Sequence, residues 1–262
     1  FKGYYDELRS CLSDFDRITS TISPTTLKAL GPHVATVEAA LRPGMVALTW
    51  TSMNLGSYAS KVRASLNQLE HLVGTINDLV ENRIEKNLKV ISRILLVDLP
   101  TDRSVTLDEF VSMQELKVRT ESEILIAKNL EVETAVEDLI SELARYPLCD
   151  DDTLDTEAIN LLRVHYNKML YTALLNCVKN SLNKMKARVC VRGGGTGFLF
   201  VQRPFFTVDV QLSVPSVRLA PSLDDVQRAI NRSAVAVLGC AKRVFNWGQL
   251  GLPDERKSAF FD

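Results

Sequence analysis

Asn54-Leu55-Gly56-Ser57-Tyr58-Ala59-Ser60-Lys61-Val62 opens a run that closes at Ser92. Along it Leu55, Tyr58, Val62, Leu66, Leu69, Val73, Ile76, Val80, Ile84, Leu88 and Ile91 recur with no proline between them. Every step is three or four residues, the period at which helical side chains return to one face. A helix over 54–92 is about 57 Å long at 1.5 Å per residue. That exceeds the diameter of a small domain, so this run predicts a mainly α, elongated fold of stacked antiparallel helical bundles.

Upstream, residues 4–22 form a helix with Leu8, Leu12, Phe15, Ile18 and Ile22 on one side, broken by Ser23-Pro24. A second helix over 25–41 carries Leu27, Leu30, Val34, Val37 and Leu41, and Gly31-Pro32 should start, interrupt or kink it. Arg42-Pro43-Gly44 predicts a forced turn. Trp50 lies in the following loop and is expected to plug a gap between helices.

Downstream, the polar break Asp98-Leu99-Pro100-Thr101-Asp102 ends the long helix. Thr106 with Glu109 has capping-box spacing and predicts a fourth helix to about Tyr146. Its buried side reads Leu107, Phe110, Gln114, Leu125, Val132, Val136, Leu139 and Leu143, with a more polar stretch at 115–123. A fifth helix over 156–190 ends at Gly193-Gly194-Gly195-Thr196-Gly197. The period then changes to two: Phe206, Val208, Val210, Leu212 and Val214 alternate with polar or small residues, a strand signature. Residues 198–201 read as its hairpin partner, which places one short β-hairpin or ribbon near 198–214. Pro221 and Ser222 restart the helix, with Ser222 as cap before Asp224 and Asp225. The sum is roughly two-thirds helix, well above the usual third. The expected segments are 1–97, 98–197 and 198–262, two bundle pieces followed by the β element and its helix.

The totals exclude more than they assign. Of 262 residues 46% are hydrophobic and 24% charged, with a net charge of -1, so bulk electrostatics predict neither nucleic acid nor membrane as a partner. Ile94-Leu95-Leu96-Val97 is far too short to cross a bilayer. The five cysteines are scattered without metal-site or redox spacing and read as reduced thiols of an intracellular protein. A start at Phe1 without a leader pattern predicts a piece of a longer polypeptide.

No chemistry emerges from the motifs. The run 193–197 follows a helix and lacks the Lys-Ser/Thr of a phosphate loop, so it reads as a connector. His33, His71 and His165 fall on three different helices with no ligand spacing, and Asp150-Asp151-Asp152 lacks the glycine and glutamate of a calcium loop. Catalytic residues, metals and cofactors are therefore expected to be none. Charge is more informative. Residues 131–157 hold ten Asp/Glu against Arg145 alone, and residues 168–203 hold seven Lys/Arg and no acid. Either two neighbouring helices pair these charges, or Lys179, Lys184, Lys186, Arg188 and Arg192 form a basic patch for an acidic partner. Pro43, Gly44, Trp50, Pro221 and Ser222 are the candidate structural residues.

Three stretches together resemble one family. The first is Arg203-Pro204-Phe205-Phe206-Thr207-Val208-Asp209-Val210-Gln211-Leu212, continuing through Val214-Pro215-Ser216 and Pro221-Ser222-Leu223-Asp224-Asp225 to Asn231. The second is Arg42-Pro43-Gly44 with Leu48-Thr49-Trp50-Thr51-Ser52 and Leu79-Val80-Glu81-Asn82-Arg83-Ile84. The third is Lys128-Asn129 with Val132-Glu133, Ala135-Val136 and Asp138-Leu139-Ile140. Their order and spacing over about 42–247 are similar to the tail of dynein heavy chains, especially axonemal outer-arm ones. Residues 1–30 and 248–262 add little to the likeness. The resemblance implies a non-catalytic segment that transmits force and scaffolds assembly in a microtubule-based motor, with the ATPase ring elsewhere. It implies a cytoskeletal, axonemal location in cilium or flagellum. Implied partners are other heavy chains, intermediate and light chains, docking factors and the doublet microtubule, reached through the whole complex. A freestanding tethering or spectrin-like adaptor rod is the alternative from the helices alone.

Overall fold

A computed structural model describes residues 2–46, 54–145, 156–189, 205–214 and 216–244. The described helices are α1 (Lys2–Ser20), α2 (Pro24–Val46), α3 (Leu55–Asp78), α4 (Lys86–Arg93), α5 (Leu107–Arg145), α6 (Thr156–Val189) and α7 (Leu223–Val244). A two-stranded antiparallel sheet of β1 (Asp209–Ser213) and β2 (Ser216–Ala220) precedes α7. The described residues are mainly α with one short hairpin, as the periods predict.

The backbone is helical without a break from Leu55 to Arg93, but Leu79–Glu85 is a π-helical segment joining α3 to α4. The side chains explain it. Leu69, Leu72, Val73, Ile76 and Leu79 are buried, and the next buried residue is Ile84, five positions on. A π turn accommodates one residue more than an α turn, so Leu79 and Ile84 both reach the core. Leu88 and Ile91 continue the buried series. Val80, which a strict three-or-four count places in the seam, is only half-buried.

The chain divides into two compact units. One comprises Phe1–Lys86 and Glu131–Asn167. Here α1, α2 and α3 pack on one another. Asp14 pairs with Arg63 and Arg17 with Glu70, so α1 and α3 run in the same direction. The end of α2 at Gly44 faces Leu8 near the start of α1 and Tyr58 near the start of α3, so α2 runs opposite to both. Leu30, Val37 and Leu41 are buried on α2 as expected, but Leu27 is exposed, and Thr26, Ala29 and His33 are buried as well. Residues 131–145 of α5 contribute Val132, Ala135, Val136, Leu139 and Leu143, and α6 contributes Ala158, Leu162 and Tyr166.

The other unit comprises Asn87–Leu130 and Lys168–Asp262. Its core holds Leu88, Ile91, Leu96, Val97, Phe110, Leu125, Leu170, Leu174, Cys177, Val178 and Met185, with Val237, Cys240 and Ala241 of α7. The strand expected over 206–214 is β1, but its partner is β2. Residues 198–201, the expected partner, lie outside the described residues. With Pro215 read as a strand limit, only two residues separate the strands, and the register pairs Ser213 with Ser216.

If the π turn sets the seam, Ile84→Ala should lower unfolding free energy by about 2–5 kcal/mol, the usual cost of a large-to-small core change. Val80→Ala should cost clearly less. Denaturant midpoints of the two variants check the order, and the reverse order would restore a plain α-helix.

Candidate functional site

Among the described residues, three joints are built from side-chain hydrogen bonds to the backbone. Arg42-Pro43-Gly44 was expected to turn the chain, yet α2 continues through it to Val46. Proline removes one backbone donor, and Tyr58 mends the ladder beside it. Its hydroxyl accepts a hydrogen bond from Gly44 N–H at 2.8 Å and donates to the Ala40 carbonyl at 2.8 Å. These are the two groups an α-helix would join directly, so the phenol is inserted into the rung. A Cβ on residue 44 would lie 2.9 Å from that hydroxyl, which is why the position is glycine. Burial raises the Tyr58 pKa, so the hydroxyl keeps its proton.

A second joint is the connector 94–106. Leu96, Val97, Leu99 and Val105 are buried although no helix or sheet ladder runs through 94–104. Side chains take over the backbone groups. Leu96 N–H donates to Ser181 Oγ at 2.9 Å, Asp98 N–H to Gln114 Oε1 at 3.1 Å, and Gln114 Nε2 donates to the Asp98 carbonyl. Arg188 Nε donates to the Pro100 carbonyl at 3.2 Å, and its guanidinium lies 4.7 Å from the centroid of Phe205. Val105 donates to the Phe205 carbonyl and accepts from Thr207 N–H, forming a parallel bridge with Phe206. Phe110, Phe205 and Phe206 meet edge-to-face at 4.8–5.7 Å between centroids. The motif Phe205-Phe206-Thr207 thus locks the connector against α5 and α6.

The third joint is the start of α7. Ser222 Oγ accepts from Asp225 N–H at 3.2 Å, and Asp225 Oδ2 accepts from Ser222 N–H at 3.2 Å. Ser222 is the cap expected, and Asp225 adds a returning bond that makes it reciprocal. Pro221 immediately precedes it. The hydrogen bonds from Ser222 hold the Asp225 carboxyl below its ordinary pKa, with Arg228 adding to the effect. Thr106 likewise accepts from Glu109 N–H at 3.2 Å, while the Glu109 carboxylate pairs with Arg103.

The basic candidates separate. Lys179, Lys184 and Lys186 are exposed on α6 and make no ion pair with any described residue. Arg188 is buried in the connector joint and does not belong to an exposed patch. Arg192 lies outside the described residues, as do Trp50, 150–152 and 193–197. Three acids of 131–145 pair with arginines and not with the lysines of α6: Glu137 with Arg163, Asp138 with Arg83 and Glu142 with Arg145. His33, His71 and His165 sit on α2, α3 and α6. Among the described residues no three His, Cys, Asp or Glu converge on a metal site, and no helix is long and apolar enough to cross a membrane. Cys11, Cys177 and Cys240 are buried free thiols, and burial pushes Cys177 up to about 12.

Pro43-Gly44, Phe205-Phe206-Thr207 and the cap at Ser222 fall in the stretches that resemble the dynein tail, and direct comparison decides the matter. The chain is 40% identical over 252 residues, 95% of its length, to the dynein gamma chain of the flagellar outer arm of Chlamydomonas reinhardtii. The chain belongs to the dynein heavy chain family. Residues 1–58 match the family described as dynein heavy chain, N-terminal region 1, so the amino-terminal end carries a family signal that motif reading passed over. It is also 26% identical to mouse dynein axonemal heavy chain 5 over 94% of its length and to human dynein axonemal heavy chain 8 over 92%. The chain spans 6–7% of the length of these relatives. It is a segment of the dynein tail.

Ser181→Ala should cost about 1–3 kcal/mol by stranding the buried Leu96 N–H, read as a lowered denaturant midpoint. The lowered Asp225 pKa has a definite sign. Its stabilisation is present above the ordinary carboxyl value and is lost as pH falls through the folded-state value. Amide exchange at Asp225 should therefore accelerate in acid beyond its intrinsic pH dependence, and Asp225→Asn should remove that extra acceleration. Cys177 should resist alkylation at pH 8 in the folded chain and react once it is unfolded, as mass spectrometry of labelled peptides will show.

Proposed function

We propose that this tail segment is a non-catalytic scaffold of an axonemal dynein heavy chain, holding geometry and transmitting force in a ciliary or flagellar motor. The observation that carries the reading is the 40% identity to a flagellar outer-arm chain over 95% of this chain. The local structure supports it. Helices α5 and α6 run unbroken for 39 and 34 residues, and their seams are filled with packed aliphatic side chains. The joints place side-chain hydrogen bonds where the helical ladder is interrupted or stops, which resists fraying under load.

The hairpin supports a role in assembly. In its register Val210 faces Leu219 and Leu212 faces Val217, so all four side chains share one face. They are 61%, 41%, 81% and 64% exposed. The opposite face carries Asp209, Gln211 and Arg218. A bare apolar face of this kind marks an interaction surface. Other heavy chains, intermediate and light chains, docking factors and, through the whole complex, the doublet microtubule are the partners of this reading, in the cytoskeleton of the axoneme.

The test is made in the full heavy chain of a flagellate. Deleting the segment should leave nucleotide hydrolysis by the motor intact and abolish arm assembly, scored by sedimentation of extracted arms and by electron microscopy of axonemes. Normal arms and normal beating without the segment would defeat the proposal, as would nucleotide turnover by the segment itself. A milder variant, Val210→Ser with Leu212→Ser, should weaken arm assembly while leaving the helical signal of the chain unchanged.

A further inference from the structure

The last two-thirds of α6 has an unusual exposed side. From Asn167 to Val189 it contains no acid. At about 100° per residue, Lys168, Lys179 and Lys186 fall within about 20° of one another. Their face lies opposite the buried residues Leu170, Cys177, Ser181 and Arg188. All three are exposed, and none is ion-paired with a described residue. Lys184 projects about 140° away from Lys179 and is not part of the row. Beside the row run Leu175 and Leu182, both half-buried, seven residues apart, each followed four positions later by a lysine of the row. An apolar seam repeating at seven with a charged flank is the surface that a helix uses to accept a second helix alongside.

We propose that Lys168, Lys179 and Lys186 with Leu175 and Leu182 form a docking lane for an acidic amphipathic helix of another subunit. This inference rests on the scaffold reading above and names the partner chemistry of its charged surface. The partner helix lays its own apolar residues against Leu175 and Leu182. Its carboxylates face the lysines at axial intervals of about 16 and 10 Å, the rise of eleven and seven helical residues. Arg188 takes no part, being held by Pro100 and Phe205.

The experiment uses intact outer arms and a water-soluble carbodiimide, which joins a lysine amine to a carboxylate only when the two are in contact. Cross-links from Lys168, Lys179 and Lys186 to acids spaced seven or eleven residues apart in one helix are expected. Full heavy chain carrying Lys168→Glu, Lys179→Glu and Lys186→Glu should lose those cross-links and bind the subunit about tenfold or more weaker, because like charges then meet across the lane. The matching Lys→Arg triple variant should retain the subunit, and Lys184→Glu should do so as well. Unchanged subunit retention by the triple Glu variant, or cross-links scattered over unrelated acids, overturns the lane and leaves the scaffold reading standing. Arms that assemble without the whole segment overturn the scaffold reading instead.

Discussion

A helical side chain returns to the core every three or four residues, and between Leu79 and Ile84 the buried residues of this chain do not obey that count. Five residues of regular α-helix would rotate Ile84 about 140° off the seam. The chain keeps both aliphatic side chains inside by opening the ladder into a π segment over Leu79–Glu85. Burial of this kind is worth roughly 1.5–3 kcal/mol for each side chain. Leu88 and Ile91 follow at steps of four and three, so the side of α4 that is buried is set by that one extra residue.

Where the helix stops, the problem becomes one of polar groups. The connector 94–106 buries apolar side chains without a ladder of its own, and each stranded amide would cost about 1–3 kcal/mol. Ser181, Gln114 and Arg188 look like faults in the apolar faces of α5 and α6, yet each is matched to a backbone group of the connector. Gln114 serves both the N–H and the carbonyl of Asp98, so one side chain replaces two ladder bonds. The buried polar residues are thus the parts of those helices that specify where the connector goes.

Much of this was legible in the residues. Period 3.6 located the helices, period 2 located β1, and Thr106 and Ser222 announced their helix starts because a short hydroxyl side chain is the simplest partner for the orphan amides there. Two of the failures share a cause, which is a partner distant in sequence. Pro43 reads as a breaker because nothing nearby reveals that Tyr58 will complete the rung. Arg188 reads as a surface charge because its acceptor, the Pro100 carbonyl, is 88 positions away. The π turn hides because Val80 satisfies the local count as well as Leu79 does. The partner strand at 216–220 was obscured because Pro215 reads as the end of a strand. Trp50 and the glycine run 193–197 both lie outside the described residues.

The two kinds of cation divide the remaining work. Arg163 grips Glu137 with Nε at 3.2 Å and Nη2 at 2.8 Å, a two-point clamp that fixes orientation as well as distance. Arg63, Arg83 and Arg232 likewise join residues far apart in sequence. A planar fork suits internal geometry because it is pre-organised for a carboxylate. The lysines of α6 are left to solvent, and a flexible ammonium suits that setting, because it can follow a partner's carboxylate without fixing its angle. Since exposed pairs contribute under about 1 kcal/mol each, neither set accounts for the stability of the helices, which rests on their aliphatic seams. Arginine joins helices of this chain to one another, and the exposed lysines of α6 are the cations left for the partner helix proposed above.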